Sequence, residues 1–329
     1  MRSERDWLPA GSTKRIAALL FLVALLACRS GAPGTAGGGG APAVAAGSEG
    51  PAGGAVADPA NGFAANALWD DGRAEVNAYE ASERRYGVLR PFTAYHIVVK
   101  EDFSKQQLVK ADPGHDPADL VTVLKLNQVI NYQTGIYSYH QMASTFYDRA
   151  TMDLLKFTLT SFEWCGNSFK EYTRRDGRAA LHVHTYWDTM ADATYDLPVG
   201  PDVVLYDQLP LWIRSLPQAP GTTRALRLVP GQIDSKGPKP EIEAATLRAV
   251  AEESVTTPAG PFRALRWELK AGDGQPDLYW TAREFPHLLI SWSKPDGGAY
   301  RLKWTQRLAY WTLHDPGGEK YLAGPGRTP

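Results

Sequence analysis

Two histidines with strand spacing are the best candidates for metal chemistry in this chain. His182 and His184 lie two positions apart in an alternating segment, so on a β-strand both imidazoles point to the same face. A zinc site needs at least three protein ligands, and the neighbouring sequence supplies no third one. Glu163, His96 and His140 could do so only if the fold brings them there. Two interpretations stay open, a metal-dependent hydrolase centred on His182 and His184 and a strand with ordinary histidines, and we favour the second.

Other catalytic patterns are absent from the sequence. Cys165 shares strand parity with Phe157 and Leu159, which predicts a buried thiol, and a thiol in apolar surroundings is inert. The chain contains no Gly-x-Ser-x-Gly, no phosphate-binding glycine loop and no His-Glu-x-x-His. We therefore predict that the protein is not an enzyme and that it has neither catalytic residues nor a cofactor.

Large apolar residues in the C-terminal half could instead form a binding groove. Tryptophans recur along successive alternating segments there, and a short apolar stripe precedes them in the chain. Such residues fill a core in one interpretation, where cross-strand pairs contribute about 0.2–1 kcal/mol each. In the other they line an apolar groove with a residual pocket. The residues of this candidate groove are Leu209, Trp212, Trp267, Trp280 and Trp304.

The elements that would position these residues are mostly β-strands. From Pro91 onward the hydrophobic period is two, and Asp176-Gly177 between two alternating runs predicts a hairpin. Ten or more strands in sequential hairpins predict a long antiparallel meander that curls into a barrel or half-barrel. Leu209–Leu216 has helical spacing, with Pro210 in its first turn and Pro217 after it, and predicts a short lid helix. A second short helix is predicted around Ala244–Val250.

The N-terminus predicts export and lipid attachment. Basic residues precede twelve uncharged residues, Ile16 to Ala27, which is typical of a signal peptide and too short for a membrane-spanning helix. Leu25-Leu26-Ala27-Cys28 resembles the lipobox of bacterial lipoproteins. That resemblance implies cleavage before Cys28 and acylation of its thiol, so the chain would be held at a membrane by a lipid anchor. Arg29, where an Asp would imply inner-membrane retention, favours the outer membrane, facing the periplasm.

Composition divides the rest of the chain. Residues 30–60 hold 10 Gly, 10 Ala and 4 Pro, a mixture that cannot build a core. We predict a signal peptide over 1–27, an acylated N-terminus and flexible tether over 28–66, one antiparallel β domain over 67–315, and a disordered tail over 316–329. Charge is balanced, with 35 Lys and Arg against 36 Asp and Glu, which excludes the basic excess typical of nucleic-acid binding.

Several short runs resemble an uncharacterised family of secreted bacterial proteins with a periplasmic domain of unknown function. They are Arg85-Tyr86-Gly87, Thr134-Gly135-Ile136-Tyr137, Glu163-Trp164-Cys165-Gly166, Trp212–Leu216 and Thr257–Phe262. The resemblance implies a curved antiparallel sheet, similar to the half-barrels of periplasmic lipoprotein carriers, and no activity. Some relatives bear the label septum formation inhibitor Maf-like, but Maf proteins are cytoplasmic α/β enzymes, so the label implies no mechanism for an exported β protein.

Together these observations predict a cell-envelope lipoprotein that binds a hydrophobic or envelope-derived ligand without catalysis. Its partners would be the membrane, through the lipid anchor, and an apolar small molecule or an envelope protein. Two alternatives remain, a structural or accessory envelope protein without a ligand cavity, and the hydrolase centred on His182 and His184.

Overall fold

The computed structural model describes residues 59–325, and they form one open, curved sheet of 15 strands. Two short α-helices accompany the sheet, α1 (Pro59–Ala64) and α2 (Leu209–Ser215). The strands are β1 (Ala74–Arg85), β2 (Val88–Ser104), β3 (Leu120–Thr134), β4 (Tyr137–Asp148), β5 (Leu154–Glu163), β6 (Gly166–Arg175), β7 (Arg178–Thr185), β8 (Asp192–Leu197), β9 (Val203–Leu205), β10 (Thr223–Val229), β11 (Glu243–Thr257), β12 (Gly260–Ala271), β13 (Asp277–Ala282), β14 (Leu289–Ser293) and β15 (Ala299–Leu308).

Two antiparallel meanders make up the sheet, and they meet where β1 pairs with β15. Its strand order runs from β8 back to β1, then from β15 back to β9. Every pair is antiparallel except β9 with β10. The two edges, β8 and β9, are only five residues apart in the chain, a link that spans about 20 Å at most. The sheet must therefore curl until its ends approach each other, which confirms the predicted curved antiparallel meander.

Helix α2 lies on the inner, concave face and joins the two halves. Leu209 and Ile213 belong to the apolar cluster of the C-terminal strands, whereas Leu211 belongs to the cluster of β2–β7. Pro210 is in the first turn of the helix, as predicted. Asp207 belongs to a 3-10 helix, Tyr206–Gln208, that directly precedes α2.

A buried ion pair fastens α2 to β1. The Arg214 guanidinium donates to both carboxylate oxygens of Glu75 at 2.8 Å. Asn77 also donates to Glu75, at 2.7 Å, and Arg214 donates to the Pro286 carbonyl at 3.0 Å. Both charged side chains are almost fully buried, at 3% and 2% exposure, so the pair depends on this set of hydrogen bonds.

The structure corrects three predictions, one about an element and two about where the folded body begins and ends. Residues 244–250 belong to strand β11 and not to a helix, because Ala245, Leu247 and Ala249 are buried in alternation. The folded body begins at α1 and not at residue 67, since Phe63 is buried and its carbonyl accepts a hydrogen bond from the Trp69 indole at 2.8 Å.

At the C-terminus, residues predicted as a disordered tail form a 3-10 helix, Gly318–Ala323. The signal peptide, Cys28 and the predicted tether up to residue 58 lie outside the described residues. No helix in residues 59–325 is long and apolar enough to cross a membrane.

Candidate functional site

A cavity of about 280 Å³ opens on the concave face beside the start of α2. We call it the inner cavity. The crossing loop, residues 230–242 between β10 and β11, closes one side of it. Its aromatic and charged lining comprises Tyr132, Tyr206, Tyr279, Trp292, Tyr300, Glu83, Arg84, Arg85, Asp207, Asp234 and Lys294.

A stacked aromatic pair forms one wall of the inner cavity. Trp292 and Tyr300 are directly opposite each other on β14 and β15, so the antiparallel register places both rings on one face. Their centroids are 3.7 Å apart and their planes differ by 9°. Tyr79 packs edge-on against Trp292 at 5.5 Å. Because the two rings cover each other's inner faces and are only 5% and 2% exposed, the pair forms a rigid, largely buried part of the wall.

The mouth of the inner cavity carries two ion pairs from distant parts of the chain. Lys294 donates to Glu83 at 2.7 Å, and the Tyr300 hydroxyl donates to the same carboxylate oxygen at 2.7 Å. Burial and the neighbouring Glu83 carboxylate hold the pKa of Tyr300 well above its usual range. Arg85 donates to Asp234 of the crossing loop at 2.9 Å. Four of the charged groups are thus paired with one another, whereas Arg84 donates to the backbone carbonyls of Gly87 and Asp296.

The inner end of the cavity is a buried polar network. The Gln232 backbone N–H donates to the Asp207 carboxylate at 2.5 Å, and Lys170 donates to the Gln232 backbone carbonyl at 2.8 Å. Gln128 donates to the Asp207 carbonyl at 2.9 Å. Burial raises the pKa of Asp207 to about 6 and lowers the pKa of Lys170 to about 8. Asp207 therefore changes its charge close to neutral pH.

A second, half-buried carboxyl lies near this network. The Tyr206 hydroxyl donates to Asp277 at 2.5 Å. Burial raises the pKa of both groups, most strongly that of the tyrosine. The hydrogen bond keeps the Tyr206 ring against the cavity.

The lining combines charged side chains of both signs with aromatic rings. Three cationic side chains face three acidic ones, so the charge of the lining is nearly balanced. Among the described lining residues there is no Ser, Cys or His side chain. The aromatic wall offers apolar contact, and the polar groups can fix an orientation.

The structure divides the predicted apolar groove between the two faces of the sheet. Leu209 and Trp267 are buried on the concave side in one cluster, and half-buried Trp212 packs against both inner clusters. The neighbouring inner cavity is lined by both aromatic and charged side chains. This differs from the apolar pocket that the sequence predicts.

Trp280 and Trp304 lie on the outer face. Trp280 is opposite Arg266 in the register, and its indole donates to Glu253. Trp304 should share a face with Leu302 by alternation. A bulge at Lys303 shifts the register, so that Leu302 pairs with Tyr79 but Trp304 pairs with Ala78. One extra residue thus turns Trp304 outward.

The predicted metal ligands stay apart from the inner cavity. His182 and His184 are exposed on β7, and the Nε2 of His182 is 2.7 Å from an Asp192 carboxylate oxygen. His96 is buried between Tyr79 and Trp292, where burial lowers its pKa to about 3. Residues 59–325 contain no group of three or more His, Cys, Asp or Glu side chains that could hold a metal ion.

The predicted burial of Cys165 is wrong. Strand β5 ends at Glu163, so Cys165 lies in the exposed turn before β6. The Glu163 carboxylate accepts a hydrogen bond from the Cys165 amide at 2.6 Å. The same carboxylate raises the pKa of the thiol, which disfavours the reactive thiolate.

Sequence reasoning missed the charged residues of the inner cavity. Glu83 and Lys294 are 211 positions apart, and Arg85 and Asp234 are 149 apart. No local motif links them. The one sequence signal for a polar interior is a polar residue at an inward position of a strand, such as Lys170 between buried Ser168 and Tyr172.

Comparisons with known proteins add little to this geometry. No protein-family model matches the chain, and no curated protein matches it. One solved structure is similar, a beta-barrel-like protein of the domain of unknown function DUF1849 from Brucella abortus. The identity is 9%, the match covers 72% of this chain and 96% of that one, and the TM-score is 0.41.

Proposed function

We propose that this protein is an exported lipoprotein that binds a small, envelope-derived ligand in its inner cavity without catalysis. Acylated Cys28 would hold it at the outer membrane, facing the periplasm. The observation that carries the proposal is the inner cavity, which combines a stacked Trp292–Tyr300 wall with two ion pairs at its mouth. At about 280 Å³ it lies near the lower end of small-molecule sites.

The lining favours a ligand without net charge. A charged ligand would have to break the Glu83–Lys294 pair or the Arg85–Asp234 pair, and breaking a buried or half-buried pair leaves one charge uncompensated. A neutral ligand with hydroxyl groups can accept and donate hydrogen bonds without that cost. A flat apolar face would pack on the aromatic wall. A saccharide unit released from the cell envelope has both properties.

The other two candidate functions have less support. An accessory protein without a ligand has no need for a cavity lined by paired charges. A hydrolase centred on His182 and His184 lacks a third ligand among the described residues.

Binding can be tested directly by calorimetry. Mature protein is titrated with soluble saccharide fragments released from bacterial envelopes. Trp292→Leu should weaken binding about tenfold, equivalent to about 1.4 kcal/mol, because it removes the indole ring from the aromatic wall. Trp280→Leu, on the outer face, is the matched control and should bind like the wild type. The proposal fails if no fragment binds the wild type, or if both variants lose affinity equally.

Membrane attachment needs a separate measurement. Mass spectrometry of the mature N-terminus should show an acylated Cys28. An unmodified N-terminal residue other than Cys28 would contradict the lipid anchor and leave the binding proposal intact.

A further inference from the structure

A second cavity, of about 350 Å³, lies on the outer face of the sheet under the C-terminus. We call it the outer cavity, and residues 309–325 that cover it the C-terminal strap. Its walls are mainly apolar and come from β1, β2, β3, β15 and the strap. The apolar residues lining it include Val76, Ile97, Val129, Trp304, Leu308 and Leu322.

The strap rests on the sheet without polar attachment. Its hydrogen bonds are local, such as Leu313 to the Tyr310 carbonyl at 3.0 Å and Gly318 to the Asp315 carbonyl at 2.9 Å. In the described part of the chain, no hydrogen bond or ion pair joins residues 310–325 to the sheet. A segment held by apolar contacts alone opens more easily than one tied by hydrogen bonds.

One polar group in this outer wall lacks a partner. The Trp304 side chain is buried at 5% exposure, and its Nε1 has no hydrogen-bond acceptor. Gly324 of the strap covers the ring, since a Cβ there would lie 2.5 Å from Trp304 Cδ1. A buried N–H without an acceptor is destabilising, so an oxygen brought in beneath a displaced strap would satisfy it.

The charges of the strap select among apolar ligands. Asp315, Glu319 and His314 border the outer cavity, whereas the strap's one lysine, Lys320, is not part of its lining, so the two carboxylates repel an anionic head group. A neutral carbonyl oxygen meets no such repulsion and can accept from the indole.

We propose that the outer cavity binds a neutral acyl ester, with its aliphatic chain between β1, β2 and the strap and its carbonyl on Trp304 Nε1. The strap acts as the lid that opens for entry. This site is separate from the inner cavity and does not depend on the function proposed for it.

The test compares two chain lengths and two head groups by calorimetry on the mature protein. 1-Dodecanoylglycerol should bind about 15-fold more tightly than 1-decanoylglycerol, since each buried methylene contributes about fourfold. It should also bind more tightly than dodecanoate. Trp304→Phe keeps the ring packing but removes the donor, and should weaken ester binding about tenfold. Trp280→Phe is the matched control and should bind like the wild type.

Hydrogen exchange gives a second readout of the same event. The ester should slow exchange in residues 310–325, and it should do so in the wild type and in Trp280→Phe. Thermal melting shows whether each variant is folded. Absence of binding by folded wild type, equal affinity of Trp304→Phe and wild type, or tighter binding of dodecanoate than of the ester would each overturn the proposal.

Discussion

The buried pair between Arg214 and Glu75 should dominate the attachment of α2 to the sheet. Arg214→Met removes a guanidinium that donates twice to Glu75 at 2.8 Å and twice to the Pro286 carbonyl, at 3.0 and 3.1 Å. Glu75 is then left as a charged group at 2% exposure, with only Asn77 as a donor. Breaking a buried pair in this way costs about 3–5 kcal/mol.

Urea unfolding of the mature protein measures that free energy, and calorimetry should show Tm lower by about 10 °C. Arg227→Met is the matched control, because Arg227 pairs with Asp202 at 2.6 Å while both side chains are 44% exposed. Its cost should be below about 1 kcal/mol. The double variant Glu75→Leu/Arg214→Met should recover part of the loss, since it leaves no unpaired charge. Equal costs for Arg214→Met and Arg227→Met would refute the reasoning.

Three further outcomes are expected. Burial raises the pKa of Asp207 from 3.8 to about 6, so the native state retains a proton that the unfolded chain loses. The free energy of unfolding should therefore fall by about 3 kcal/mol as pH rises from about 4 through 6. Asp207→Asn should lack this slope in urea unfolding at pH 4–7, and an unchanged slope would contradict the raised pKa of Asp207. Gly324→Ala should speed hydrogen exchange in the C-terminal strap, because Gly324 has φ 92° and its added Cβ would contact the Trp304 ring; unchanged exchange would show that the contact does not hold the strap. Shortening Gly31–Ala57 by half should leave Tm unchanged, since no core residue is predicted there; a shift of several degrees would show that this segment packs.

The sequence predicts strands and their local order better than it predicts which face of the sheet each side chain occupies. The Asp176-Gly177 hairpin appears as β6 and β7, and the Leu209–Leu216 stripe appears as α2. Both depend on contacts between neighbours in the chain. The outward turn of Trp304 depends on a bulge, which no period-two pattern reveals, because a single extra residue inverts every later position.

The inner cavity was beyond sequence reasoning for a different reason. It forms where β1 pairs with β15, and this pairing joins residues more than 200 positions apart. Hydrophobic alternation says which residues of a strand are buried, but it does not say which distant strand will be adjacent. Glu83 and Lys294 therefore look like ordinary turn charges until the sheet is assembled.

The open edges explain why a polar cavity persists inside this sheet. Strand β9 has three residues, and β8 carries Asp192 and Asp196 at exposed positions, so neither edge is suited to long pairing with the other. The crossing loop closes the gap instead. Its Ser235 carbonyl accepts from Ser168 of β6 at 2.5 Å, and its Gly237 carbonyl accepts from Tyr195 of β8 at 3.3 Å. Closure by a loop leaves polar backbone groups facing inward, and these groups need polar partners such as Lys170 and Asp207. Because a loop rather than strand pairing closes the gap between the two edges, the interior acquires the polar lining on which binding would depend.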